Sequence, residues 1–172
     1  MVHMYMVHSQ IPLCMVHRLW HFNKYVKGRW YDFYDGLEVA QTPRSVLLHT
    51  PIDRINLHLR GGEILPIQEP SQTTMDSRTN GLGLIVSLDD DLFATGQLYW
   101  DEGDSIDPIE NGKYTLVNFE FGNLVLTSNV EVSEIINEYH KNEKKSFPLR
   151  FTHFEINGLR DDVYEGKLSS WK

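Results

Sequence analysis

The sequence predicts an all-β protein built from two small antiparallel β-sandwich domains, the second of them incomplete. Three observations predict it. Apolar and polar residues alternate over short runs, the period at which strand side chains change face. Those runs are rich in β-branched and aromatic residues, which suit a pleated surface. Turn signals containing Gly, Asn or Asp separate them at short intervals. With 41% hydrophobic and 23% charged residues over 172 positions, there is enough apolar material for a packed core.

The first 23 residues stand apart. Met-Val-His occurs at Met1–His3, Met6–His8 and Met15–His17, and His3, His8, His17 and His21 fall in this stretch. Histidine is a common metal ligand. The spacings, however, fit no helical or strand face, no carboxylate sits among them, and Pro12 interrupts any regular element. The stretch reads as a low-complexity extension without a fold of its own.

From Lys24 onward the pattern is β. In Ile55–Arg60, Ile55, Leu57 and Leu59 take one face and Asn56, His58 and Arg60 the other, which predicts a strand covered on one side. Gly61-Gly62 break or bulge it, and an extended path resumes to Pro66. Leu82–Leu88 places Leu82, Leu84, Val86 and Leu88 on one face. Gly96–Trp100, Lys113–Phe121, Asn123–Val132 and Phe147–Gly158 are the remaining strands. Turns are expected at Asp35-Gly36, Asn80-Gly81, Asn111-Gly112, Gly122-Asn123 and Asn157-Gly158. The best helix candidate is Val132–Lys145. The Gln-, Pro-, Ser- and Thr-rich run Pro66–Asn80 marks the boundary between the two domains, placed at residues 24–72 and 73–172.

Composition removes several function classes. A net charge of −8 disfavours nucleic acid, which needs clustered Lys and Arg. The one short basic cluster, Lys141–Lys145, contains Glu143 and reads as a solvated loop. A single cysteine, Cys14, excludes a disulfide within the chain and a cysteine-built zinc site. No apolar run reaches the roughly 18 residues of a membrane span.

Two acidic stretches invite a catalytic reading: Asp89-Asp90-Asp91, and Asp101, Glu102 and Asp104 directly after Tyr99-Trp100. Glycosidases place two carboxyl groups roughly 5–5.5 Å apart for retention or roughly 6.5–9.5 Å for inversion. Asp101 and Glu102 are neighbours, and neighbours in a strand face opposite ways. Asp89–Asp91 sit between two strands, where Asp is favoured because its side chain bonds nearby amides. Both stretches read as turns. An EF-hand starting at Asp101 fails, because its third position is Gly103 and its sixth is Ile106. A looser calcium site shared by Asp89–Asp91 and Asp101–Asp104 stays open. No Gly-x-Ser-x-Gly elbow and no phosphate-cradling glycine loop is present. No catalytic, cofactor-binding or metal residue is assigned. Trp30, Tyr99 and Trp100 are candidate carbohydrate contacts, with burial in the core as the competing reading.

Four motifs occur in order: Gly28–Gly36 (GRWYDFYDG), Ile55–Pro70 (INLHLRGGEILPIQEP), Thr73–Arg78 (TTMDSR) and Gly96–Asp107 (GQLYWDEGDSID). Together they resemble the C-terminal part of glycoside hydrolase family 31 α-glucosidases, the maltase, sucrase and lysosomal branch. The resemblance covers Tyr25 to Phe121 well and the chain to Gly158 more loosely. It implies a proximal and a distal β-sandwich that follow a catalytic (β/α) barrel, whose chemistry releases terminal α-linked glucose with retention. The barrel is then the expected partner, α-glucans or maltose-like sugars the expected ligands, and the family's settings are secretory, lysosomal or cell-surface. No catalytic residue carries over, since the nucleophile and the acid/base of the family lie in the barrel, and the residues before Tyr25 are far fewer than the about 250 a barrel takes. The Met-Val-His stretch matches nothing expected at the end of a barrel. The C-terminal residues stop short of the last strands of a full distal sandwich, so the chain reads as a fragment or divergent product. A stand-alone carbohydrate-binding β-sandwich is the alternative.

Overall fold

A computed structural model describes residues 20–25, 27–40, 44–101, 103, 106–132 and 149–159. Eleven strands form three sheets among them, with one helical turn. In chain order the strands are β1 (Trp20–Tyr25), β2 (Trp30–Asp32), β3 (Glu38–Ala40), β4 (Arg44–His49), β5 (His58–Arg60), β6 (Glu63–Gln68), β7 (Leu82–Ser87), β8 (Ala94–Asp101), β9 (Tyr114–Gly122), β10 (Val125–Val132) and β11 (Phe151–Asn157). The single helix, α1 (Thr74–Ser77), was not legible in the sequence; its Thr73 N-cap accepts from the Asp76 amide at 3.1 Å. The all-β expectation holds.

The main sheet has six strands in the order β10-β9-β8-β6-β7-β11. Its pairs are antiparallel except β11 with β7 and a single bridge, Glu63 with Thr95, between β6 and β8. That bridge needs Gly96, because a Cβ there would lie 2.2 Å from the Ile64 carbonyl oxygen. β6 lies before residue 72 and pairs with β7 over all six of its residues, so the sheet runs across the two spans 24–72 and 73–172.

Register sets the core. Ile64, Leu84, Val86, Ala94, Leu98, Val117, Phe119 and Phe121 share one face through the pairs Ile64–Val86, Ala94–Phe121 and Leu98–Val117. Phe151, Phe154 and Ile156 of β11 pack on the same cluster. The Phe119 and Phe151 rings meet edge to face at 5.4 Å. In a flat sheet their strands, four steps apart, would stand about 19 Å from each other. The sheet is therefore rolled, and its own apolar face closes on itself.

The strand expectations change in detail. The Ile55–Arg60 alternation forms a ladder only over His58–Arg60, and Ile55 is 51% exposed. The reason is β2, which ends at Asp32, so pairing stops at Asp32 with His58. Leu82–Leu88 places Leu82, Leu84, Val86 and Leu88 on one face, and the residues between them are buried as well. β7 lies between β6 and β11, and the Tyr31 hydroxyl of the smaller sheet bonds the Leu88 carbonyl just beyond its end. The expected Gly122-Asn123 turn is displaced by one residue: Gly122 pairs with Val125, and Asn123 and Leu124 carry the positive φ of a two-residue hairpin. The Met-Val-His repeats, the Ser133–Lys145 part of the helix candidate and the C-terminal dozen residues lie outside the described residues. β1, paired with β4, begins at Trp20 and so reaches into the span 1–23.

The three-stranded sheet β3-β2-β5 is latched to the main sheet by two side chains of β2 and its approach. The Tyr31 hydroxyl donates to the Leu88 carbonyl at 2.6 Å. Arg29 donates to the carbonyls of Asp89 and Gly158, each at 3.3 Å, while its other nitrogens hold Glu38 at 3.2 and 2.9 Å. Gly158 has φ +94°, and a Cβ on it would meet the Tyr31 hydroxyl at 2.2 Å, so a side chain here would push the two sheets apart.

Candidate functional site

The acidic stretches resolve into turns. Asp89 Oδ1 accepts from the Asp91 and Phe93 amides at 3.0 and 2.9 Å, fixing the turn that connects β7 to β8 across the intervening β6. Asp101 Oδ1 accepts from the Gly103 amide at 2.9 Å. Glu102 and Asp104 lie outside the described residues. Among the described residues, the shared calcium site does not form. Asp89–Asp91 precede β8 and Asp101 ends it, so eight extended residues hold the two groups about 23 Å apart. A calcium ion holds its ligands at about 2.3–2.6 Å. Among the described residues, no group of three or more His, Cys, Asp or Glu side chains could hold a metal ion.

The three candidate aromatic residues do not make one platform. Trp30 lies on β2, paired with Ala40 and Arg60, and is 3% exposed. Tyr99 and Trp100 are adjacent on β8 and so face opposite sides of the main sheet. Trp100 packs against the core cluster, and the Arg78 guanidinium lies 4.5 Å above its ring while donating to the Asp101 carbonyl. Tyr99 is on the outer face, stacked on Tyr114 at 5.3 Å between centroids. Burial, then the neighbouring Asp101 carboxylate, pushes the Tyr99 hydroxyl up to about 12. Beside that pair, the Gln97 amide donates to Asn118 Oδ1 at 2.6 Å.

A cleft of about 400 Å³ opens on the small sheets, where sequence reasoning marked no site. The Gly28–Gly36 motif builds one wall. After Asp32 the chain turns: Asp32 donates its amide to the Leu37 carbonyl at 2.8 Å, and its side chain accepts from the Tyr34 amide at 2.8 Å. This turn aims Asp32, Asp35 and Glu38 at the cleft. The opposite wall is the loop from Thr50 to Leu57, which presents Pro51, Arg54 and Asn56. The Asn56 amide donates to the His49 carbonyl at 2.8 Å and fixes the loop to β4. Arg54 lies 3.4 Å from Asp32 and 4.7 Å above the Tyr34 ring. His58 lines the floor; burial lowers its pKa, opposed by Asp32. No spacing rule could have found this cleft, because a turn and a loop from separate stretches of the chain assemble it.

The chemistry of the cleft is polar recognition. Its carboxylates are committed, Asp32 to Arg54, Glu38 to Arg29 and Asp35 to the Leu37 amide.

The rolled sheet with small sheets latched to it, and the four ordered motifs, define the class. The chain carries a glycoside hydrolase family 31 α-glucosidase-like region. It is 43% identical over 137 residues to the human probable maltase-glucoamylase 2, a match that covers 80% of this chain and 5% of that protein. Mouse lysosomal α-glucosidase is 36% identical over 151 residues, covering 77% of this chain and 15% of that protein. The glucosidase II α subunit, in the crystal structure titled as bound to α3-Glc2, superposes with a TM-score of 0.61 at 27% identity, over 68% of this chain and 13% of that one. An α-xylosidase of the same family from Xanthomonas citri shares the fold, with a TM-score of 0.62 at 18% identity. No family model matches the chain. The chain thus spans only a small share of the curated relatives it matches.

Proposed function

We propose that this chain is the C-terminal accessory β portion of a family 31 α-glucosidase, with residues 24–72 as its proximal and 73–172 as its distal part. It buttresses a catalytic barrel carried elsewhere in the polypeptide, and that barrel releases terminal α-linked glucose. One observation carries the reading: identity near 40% runs over about 80% of this chain while occupying a small share of each relative. The turn roles of Asp89 and Asp101 support a portion without chemistry of its own. The purified chain is expected to release no glucose from maltose and no phenol from an aryl α-glucoside. Turnover that a substitution within the chain abolishes would contradict this.

A second reading, a carbohydrate-binding sheet face, is favoured by the Tyr99–Tyr114 stack on the outer face of β8 and β9, beside the Gln97 and Asn118 amides. Rings that cover a sugar face and amides that reach its hydroxyls suit an α-glucan. Titration with maltotriose would then move the Tyr99 ring resonances, and Tyr99→Ala would abolish the change. Unmoved resonances at millimolar sugar remove this reading.

A further inference from the structure

The cleft's lining and the loop that forms one of its walls carry apolar side chains left exposed among the described residues. Leu37 lines the cleft and is 67% exposed. Ile52 and Ile55 lie in the loop whose Pro51, Arg54 and Asn56 form its wall, and they are 93% and 51% exposed. Apolar residues scattered singly on a surface are ordinary, whereas a group of them around one concave feature marks a contact surface. Ile52 and Ile55 are also held in place. The Tyr34 hydroxyl donates to the Ile55 carbonyl at 2.8 Å, the Arg54 amide to the Pro51 carbonyl at 3.4 Å, and the Phe33 amide to the Leu57 carbonyl at 2.9 Å. The loop thus presents its two isoleucines from a braced backbone.

The interior of the cleft has the opposite character. Asp32, Asp35 and Glu38 line it; Asp32 is paired with Arg54 and Glu38 with Arg29, and Asp35, bonded to the Leu37 amide, carries the remaining negative charge. Burial lowers the pKa of His58 and so adds no positive charge near neutral pH. An apolar rim around an acidic interior fits an element that seats aliphatic side chains on Leu37, Ile52 and Ile55 and sends one Lys or Arg into the cleft.

We propose that this rim and cleft are where the rest of the parent polypeptide docks, through an apolar segment bearing one basic side chain. The inference rests on the accessory-portion reading and deepens it by naming the face. Length supports that occupant: this chain accounts for 15% of mouse lysosomal α-glucosidase, so most of such a relative lies outside it. Charge complementarity supports the basic side chain.

The test is binding in trans. The probe is mouse lysosomal α-glucosidase produced, as a soluble monodisperse protein, without the segment that matches this chain. The full 172-residue chain is expected to bind it, with amide protection appearing at residues 34–38 and 51–57. Ile52→Asp and Ile55→Asp should each weaken binding at least tenfold without changing the Tm of the chain. Asp35→Asn should weaken it several-fold and flatten its salt dependence, while Leu124→Asp, on the distant β9–β10 hairpin, should leave it unchanged. Equal binding by all variants, with protection elsewhere, overturns the docking face and leaves the accessory reading standing. No binding by the unsubstituted chain overturns the accessory reading, and this inference with it.

Discussion

The main sheet and the small sheets solve the same problem in different ways. The six-stranded sheet rolls until Phe119 of β9 meets Phe151 of β11, and it buries its own apolar face. The three-stranded sheet has strands of three residues, too few to enclose anything. Its buried apolar residues are Trp30, Tyr31 and Leu59, and it keeps its place through the Arg29 and Tyr31 hydrogen bonds to the main sheet. It leaves Leu37, Ile52 and Ile55 in water. The difference teaches where each region gets its stability: one from its own packing, the other from contacts made at its edges.

That contrast can be broken at its strong end first. Phe119→Ala should destabilise the whole chain by about 3–5 kcal/mol, the usual cost of emptying a buried aromatic site. Urea denaturation followed by fluorescence and by circular dichroism should show one shifted transition. A loss under about 1 kcal/mol would mean that the roll is not closed by this contact.

Next comes the latch. Tyr31→Phe deletes the hydroxyl that satisfies the buried Leu88 carbonyl, a change expected to cost about 1–3 kcal/mol. Native-state hydrogen exchange should localise the loss: amides of β2 and β5 exchange faster, and those of β7 and β9 much less so. Uniform acceleration across both regions would show that the small sheet is not a separate unit.

The two regions should also differ in the sign of their pH dependence. Burial raises the pKa of Glu63 on β6 above 4.5, so the folded state binds its proton more tightly than the unfolded one. Its contribution is fully present below pH 4.5 and is lost as pH rises through the folded pKa. Burial lowers the pKa of His58 in the cleft below 6.5, so its contribution is present above pH 6.5 and is lost as pH falls through the folded pKa. Glu63→Gln should remove a decline in stability above pH 4.5, and His58→Gln a rise toward pH 6.5. Urea midpoints across pH 4 to 8 would check both, and unchanged slopes would contradict both assignments.

The smallest effect expected is at Ser87, fully buried, whose hydroxyl has no hydrogen-bond partner among the described residues. Ser87→Ala should be neutral or stabilising, within about 1 kcal/mol, by thermal denaturation. A larger loss would reveal a partner for that hydroxyl.

How much of this was legible in the sequence follows the same division. Alternation located β7, and strand-like composition between turn signals located β8, β9, β10 and β11, because apolar and β-branched residues mark strands that pack into a sheet core. Alternation misjudged Ile55–Leu57, because it is local and does not record that β2 ends at Asp32, which stops the ladder at His58. Asp89 and Asp101 were legible as turn formers, since an Asp that bonds an amide two residues on acts locally. The latch was not. Arg29 reaches Gly158 across 129 positions, and no local pattern records such a pair. The cleft was hidden for the same reason. The β11–β7 pair was also missed, because a parallel pair needs a long crossover and leaves no hairpin signal between its strands.

The central claim, that this chain serves a barrel carried by the same polypeptide, is tested most directly by long-read sequencing of the transcripts that contain its reading frame. The account predicts transcripts in which the frame is continuous with several hundred upstream codons encoding a (β/α) barrel. Transcripts that all begin coding at Met1 and still yield a stable, abundant protein would contradict it.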